Sequence, residues 1–213
     1  KKFWKKKKIN QLYFENKCNQ FYKIKTHKRV NIFTKQFKNE DKINLINGKK
    51  VFGINKELSR VNWKYISKGL PVNFHGDLHF ENILLKKRKF YFLDWRQDFS
   101  KLKNCGDLYY DLAKLMHGII IDHNKVLKNL YVIKKNGRSI IFKLKMEKIN
   151  IQVLKYFENW ILKNEYDLTK VRLITALIYL NIAPLHHKPY SFFLFHLGKY
   201  LLNDIKNFEK IKI

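Results

Sequence analysis

The chain of 213 residues carries 45 Lys and Arg against 17 Asp and Glu, for a formal charge of +28, and 46% of its residues are hydrophobic. That is enough apolar side chain for the core of one domain and too much for a disordered chain. Eight Gly and three Pro exclude collagen-like or linker sequence, and two cysteines, Cys18 and Cys105, cannot build a disulfide framework, so a reducing, cytoplasmic setting is expected.

Six of the first eight residues are Lys, and the chain starts at Lys rather than Met. The run could touch an anionic surface, and the chain is expected to be a piece of a longer protein. Ile9, Leu12, Tyr13 and Phe21 recur at roughly helical spacing over Lys5 to Tyr22. Asn47-Gly48 and Gly53 mark turns before a second helix near Lys56 to Lys68. Residues 1–70 thus read as two or three short helices and loops. From Pro71 the pattern sharpens: an extended Val72-Asn73-Phe74, a polar loop from His75 to Asn82, apolar Ile83 to Leu85, a turn at Lys86 to Lys89, and β-prone Phe90 to Leu93 ending at Asp94. After Gly106, Asp107 can cap a helix whose apolar positions Leu108, Leu112, Leu115, Met116 and Ile119 fall at three- and four-residue steps. Asn136-Gly137 centres a hairpin over Tyr131 to Phe142. Three helices follow at about Lys145 to Asn164, Asp167 to Ala183 and Tyr190 to Phe208, punctuated by Pro184 and Pro189. The longest nearly uncharged run, Leu173 to Leu185, is shorter than the ~18 residues of a bilayer span, so no membrane span is expected. The fold class is α+β, predominantly helical, with small β-hairpins. The chain reads as one domain, with 1–70 its N-terminal segment and 71–213 its functional body.

Only six of the 45 basic residues are Arg, although the guanidinium is the better fork for phosphate and base edges. Abundant Lys with Asn, Ile, Phe and Tyr is what A/T-rich codons produce, so the charge reads as bias spread over solvated faces. A nucleic-acid-binding module remains the alternative that would need a basic stripe on one face. The acids are more telling. Between His75 and Asp111 six acids face seven bases, whereas the other 176 residues hold 38 bases and 11 acids. That window is nearly neutral, and something in it needs carboxylates; Lys spread all round with a neutral cleft near Asp77 would dismiss the nucleic-acid alternative.

His75-Gly76-Asp77-Leu78-His79-Phe80-Glu81-Asn82, followed by Asp94, has the spacing of a phosphoryl-transfer catalytic loop. A carboxylate at Asp77 can accept or orient the proton of an acceptor hydroxyl. The amide oxygen of Asn82 and the carboxylate of Asp94 are hard donors suited to Mg²⁺ bridging triphosphate oxygens. A hairpin between them would bring residues 82 and 94 to one end, where one ion could touch both.

HGDLHFENIL, FYFLDWRQDF and CGDLYYDLAKL, in that order, resemble the aminoglycoside phosphotransferase and choline kinase family over Phe74 to Leu115. The resemblance implies the C-terminal lobe of a protein-kinase-like fold. It also implies an ATP- and Mg²⁺-dependent transfer of the γ-phosphoryl group to a hydroxyl of a sugar, amino sugar or amino alcohol. By it Asp77 is the catalytic Asp and His75 buttresses the loop, the two forming the catalytic pair. Asn82 and Asp94 hold metal and nucleotide, and Asp107 and Asp111 tie the following helix to the loop. Residue 95 is Trp where the family usually has Phe, and Arg96 stands where many members have Gly or Glu; these departures bear on the acceptor and local loop geometry rather than on the metal pair. Thr175 to Ala183 with Leu185-His186-His187 is similar to a bacterial subgroup found beside sugar-nucleotide enzymes of surface-polysaccharide synthesis. No Gly-rich loop or strand Lys of an N-terminal lobe is found in residues 1–70, so that lobe is expected elsewhere or absent, and an inactive kinase-like homologue is the alternative.

The same residues admit other readings. His75, Asp77 and His79 alternate and could begin a metallohydrolase site, but His117, His123, His186, His187 and His196 supply no matching pattern. His186 and His187 read as helix-end residues, Phe192, Phe193 and Phe195 as core, and Glu81 and Asp98 as solvated acids.

Overall fold

The computed structural model describes residues 3–121, 126, 128, 131–144 and 146–205. It is α+β and predominantly helical, with four small sheets among the described residues. Helix α1 (Gln11–Asn19) starts where the Asn10 side chain accepts from the Tyr13 N–H, runs through a π-helical turn (Gln20–Ile24) and continues as α2 (Lys25–Gln36). Helical structure is therefore continuous from 11 to 36, and only residues 54–67 form the short helices expected, α3 (Ile54–Ser59) and α4 (Trp63–Ser67). Between α2 and α3 lie β1 (Leu45–Ile46) and β2 (Lys49–Lys50), two short strands flanking the expected turn at Asn47-Gly48.

The segment at Lys5 to Lys7 is ordered against β3 (Pro71–Val72): the Lys7 N–H donates to Pro71 O at 2.9 Å and the Asn73 N–H to Lys5 O at 3.0 Å. Next come β4 (Ile83–Lys86) and β5 (Lys89–Phe92), paired antiparallel with Ile83 opposite Phe92, and the small ribbon of β6 (Asp98–Phe99) and β7 (Leu102–Lys103). Strand β8 (Gly106–Asp107) pairs with β3 and leads into α5 (Leu108–Ile120). The hairpin β9 (Tyr131–Asn136) and β10 (Ser139–Leu144) turns at Asn136-Gly137, and β10 takes β1 as a parallel neighbour, giving the order β2-β1-β10-β9.

Helices α6 (Lys148–Lys163), α7 (Leu168–Ile182) and α8 (Tyr190–Asn203) close the chain, with the end of the last expected helix outside the described residues. Helix α7 is the axis of the core. It packs on α8, α5 and α2, and Val171 to Leu180 are all buried. By length and composition Leu168–Leu185 could cross a bilayer, but 67% of it is buried inside the fold, as a central core helix must be. Gly198 sets the α7–α8 spacing: a Cβ there would stand 2.8 Å from Leu180 Cγ and 3.0 Å from Ala176 O. Two buried polar groups on α8 find partners in the loop before β1. His196 Nε2 lies 2.9 Å from Glu40 Oε2, and Lys199 Nζ donates to Ile43 O at 2.9 Å. They fasten α8 to the loop before β1, as buried polar groups require. Cys18 and Cys105 are free and buried.

Candidate active site

One face of α5 organises the loop from 75 to 82. Asp107 caps the helix by accepting from the Tyr109 N–H at 3.1 Å, and also accepts from the Leu70 N–H at 2.8 Å and the Tyr22 hydroxyl at 2.7 Å. One turn on, Asp111 accepts from the His75 N–H at 2.8 Å, the Gly76 N–H at 2.7 Å and the indole N–H of Trp4 at 2.9 Å. Three residues further, Lys114 Nζ reaches Asp77 Oδ1 at 2.7 Å. Positions 107, 111 and 114 share one stripe because three- and four-residue steps return to the same side of a helix. Each grips a successive part of the chain, residues 70, 75–76 and 77.

Gly76 is required where it stands. Its φ of +83° is left-handed, and an added Cβ would lie 2.5 Å from Arg96 Cβ and 2.7 Å from Phe74 Cε2. His75, next to it, is fully buried. Its Nδ1 accepts from the Asp77 N–H at 3.2 Å, its ring lies 4.8 Å from that of Trp95, and burial pushes its pKa down. The buried ring thus stands behind the loop with its Nδ1 on the N–H of Asp77.

Asp77 is half-buried. Burial by itself would raise its pKa, but the His79 hydrogen bond and the Lys114 charge outweigh it and hold the carboxyl well below the usual range. The Asn82 side chain donates through Nδ2 to Asp77 O at 2.9 Å and has Nδ2 3.3 Å from His79 Nε2. This fixes the amide so that Oδ1 is the atom left for another ligand. The Leu93 N–H donates to Asn82 O at 2.9 Å, so the β4–β5 register carries Asp94 to the same hairpin end as Asn82. Asp94 is exposed and left-handed, with φ of +54°, an uncommon state for a non-glycine residue and one that accumulates at functional sites. Glu81, read as a solvated acid, has Oε2 2.6 Å from His79 Nδ1.

The structure thus brings His75, Asp77 and Asn82 into one hydrogen-bonded loop and sets Asp94 beside it. No group of three or more His, Cys, Asp or Glu that could hold a metal occurs among the described residues, which removes the alternating His75, Asp77 and His79 as a metallohydrolase centre. Asp98 is exposed and accepts from the Lys101 N–H; His186 and His187 are exposed, while Phe193 and Phe195 are core.

A cavity of about 260 Å³ opens beside Asp77, lined also by Lys25, Arg29, Arg96, Lys114 and Asn181. The cavity is basic although residues 75–111 are nearly neutral in sequence: Lys25 and Arg29 arrive from a helix fifty residues upstream, and Lys114 lies just past the neutral window. They get there through the π-helical turn, in which the Lys25 N–H donates to Gln20 O, five residues back. Burial, then Arg96, Arg29 and Lys114, push the Lys25 ammonium down to about 8. Lys114 sits on the Asp107–Asp111 stripe, and Arg29 and Arg96 are two of only six arginines; those were the signals available in the sequence. A second cavity, about 420 Å³, includes His79 and His117 but not Asp77.

No family model, no curated protein and no solved structure matches this chain.

Proposed function

We propose that the chain is the protein-kinase-like C-terminal lobe of an ATP-dependent phosphotransferase acting on a small hydroxylated acceptor. The observation that carries this reading is the orientation of Asn82: its Nδ2 is spent on Asp77 O, so Oδ1 is free as a hard oxygen donor at the hairpin end that also presents Asp94. An amide oxygen and one carboxylate suit Mg²⁺, which takes its remaining ligands from phosphates and water rather than from an all-protein cage. When bound there, Mg²⁺ would neutralise charge building on the transferred phosphoryl group.

Asp77 orients the acceptor hydroxyl. With its pKa far below neutral it is a weak base, so its contribution is to aim an oxygen lone pair along the line of attack, and the proton leaves late. That suits phosphoryl transfer, whose loose transition state asks for positioning more than for early deprotonation. The new bond joins the acceptor oxygen to the γ-phosphorus, the bond from that phosphorus to the β–γ bridging oxygen breaks, and ADP departs. Asp111 keeps the loop in register by holding two consecutive N–H groups, and His75 holds the N–H of Asp77 itself.

The test is phosphate transfer by the full-length protein with Mg·ATP across a panel of sugars, amino sugars, sugar phosphates and amino alcohols, with Asp77→Asn and Asp94→Asn alongside. Loss of at least a hundred-fold in turnover is expected for both variants. Equal turnover in wild type and variants refutes the assignment.

A further inference from the structure

The cavity beside Asp77 gathers four cations around one carboxylate. Lys114 is matched by Asp77 at 2.7 Å. Lys25, Arg29 and Arg96 have no carboxylate within ion-pair distance among the described residues; Lys25 and Arg96 lie over the face of Phe21, at 4.3 and 5.9 Å. Codon bias explains lysines on solvated faces, and it explains neither a half-buried Lys25 nor the convergence of two of six arginines on a single small cavity. Cations gathered without counter-charge repel one another and lose hydration, an arrangement that an incoming anion relieves.

We propose that the acceptor carries an anionic group of its own, a phosphate or a carboxylate, held by Lys25, Arg29 and Arg96 while Asp77 engages a hydroxyl of the same molecule. This inference rests on the phosphotransferase reading for the role of Asp77 and goes beyond it in the class of acceptor. Of the acceptors that the sequence resemblance implies, a plain sugar would leave three cations in the cavity unmatched, and an amino sugar or amino alcohol would add a fourth. The phosphates of the nucleotide are the other anion to consider, but Asn82 and Asp94 do not line this cavity. The Arg fork suits either oxyanion, since both present paired oxygens. The space takes one small polyhydroxyl molecule and no nucleic-acid strand.

The experiment is equilibrium binding to the full-length protein by titration calorimetry, with inorganic phosphate, glucose 6-phosphate, glucuronate, glucose, glucosamine and tripolyphosphate as probes. Affinities are compared as ratios within one sample, so that they do not depend on the fraction folded. Glucose 6-phosphate or glucuronate is expected to bind at least ten-fold tighter than glucose and glucosamine, with the preference lost in both Arg29→Gln and Lys25→Met. The proposal is overturned if no anionic probe binds saturably, if glucosamine binds as well as glucose 6-phosphate, or if the anion preference survives both substitutions. Displacement of glucose 6-phosphate by tripolyphosphate at equal affinity also overturns it, by assigning the cations to the nucleotide. Phosphoryl transfer that favours glucosamine refutes the anionic acceptor and leaves the phosphotransferase standing. Anion preference with no transfer to any acceptor refutes the phosphotransferase and leaves an anion site.

Discussion

Lys25→Met should make the protein more stable. Burial, with Arg96, Arg29 and Lys114 adding repulsion, lowers the Lys25 pKa from 10.5 to about 8, a gap that corresponds to roughly 3 kcal/mol against the charged form in the fold. The side chain is half-buried, so solvent screening reduces this, and loss of the contact with the face of Phe21, worth ~0.5–1 kcal/mol, subtracts further. Methionine has nearly the same length and can lie on the same ring. A net gain of about 1–2 kcal/mol at pH 7 follows, seen as a rise in Tm of roughly 2–8 °C for a chain of this size. Below pH 8 Lys25 is charged whether the chain is folded or unfolded, and the advantage of the variant is complete. Between pH 8 and about 10.5 the unfolded wild type binds a proton that the folded protein has released, so wild type gains stability and the advantage shrinks. Thermal unfolding of both proteins at pH 7 and pH 10 measures this. A variant no more stable than wild type at pH 7, or an advantage that does not change with pH, refutes the reasoning.

Gly76→Ala places a Cβ 2.5 Å from Arg96 Cβ at a left-handed φ, and should cost about 2–4 kcal/mol in urea unfolding; an unchanged midpoint would contradict the crowding. Asp111 is pushed up to about 6, chiefly by burial. The fold therefore holds its proton more tightly than the unfolded chain does, and wild type should lose up to roughly 3 kcal/mol from this group as pH rises from 4 to 7. The stability gap between wild type and Asp111→Asn should narrow over that range, and a gap independent of pH would disprove it. Lys114→Gln removes the cation on Asp77 Oδ1, so the Asp77 pKa should climb and the acid limb of the phosphotransfer rate should move to higher pH. An unmoved acid limb would show that Asp77 does not set it.

What could be read from the sequence is what short-range rules encode. The β4–β5 hairpin, α5 with its Asp107 cap, the turn at Asn136-Gly137 and the last three helices follow from alternation, capping and three- and four-residue periodicity. The His75-to-Asp94 spacing likewise made the candidate loop visible, because the loop and its hairpin are contiguous. What failed depends on distant segments. The parallel pairing of Leu45 with Ser139 leaves no local pattern, and two-residue strands are too short for one. Trp4 donating to Asp111 across 107 positions cannot be seen from either end. Lys25 and Lys114 were hidden among 39 lysines, in a chain where that residue carries the least information.

The π-helical turn from Gln20 to Ile24 sets the bearing of everything after it. An inserted residue swings the downstream helix by ~100° about its axis relative to a regular α-helix. Upstream of the dislocation, Phe14 and Cys18 point into the interior; downstream, Lys25 and Arg29, four apart, share the flank that borders the Asp77 cavity. Excising one residue there would leave composition and helix length almost unaltered while dialling both cations out of the cleft. Compass heading, rather than the mere presence of basic side chains, is what this helix contributes.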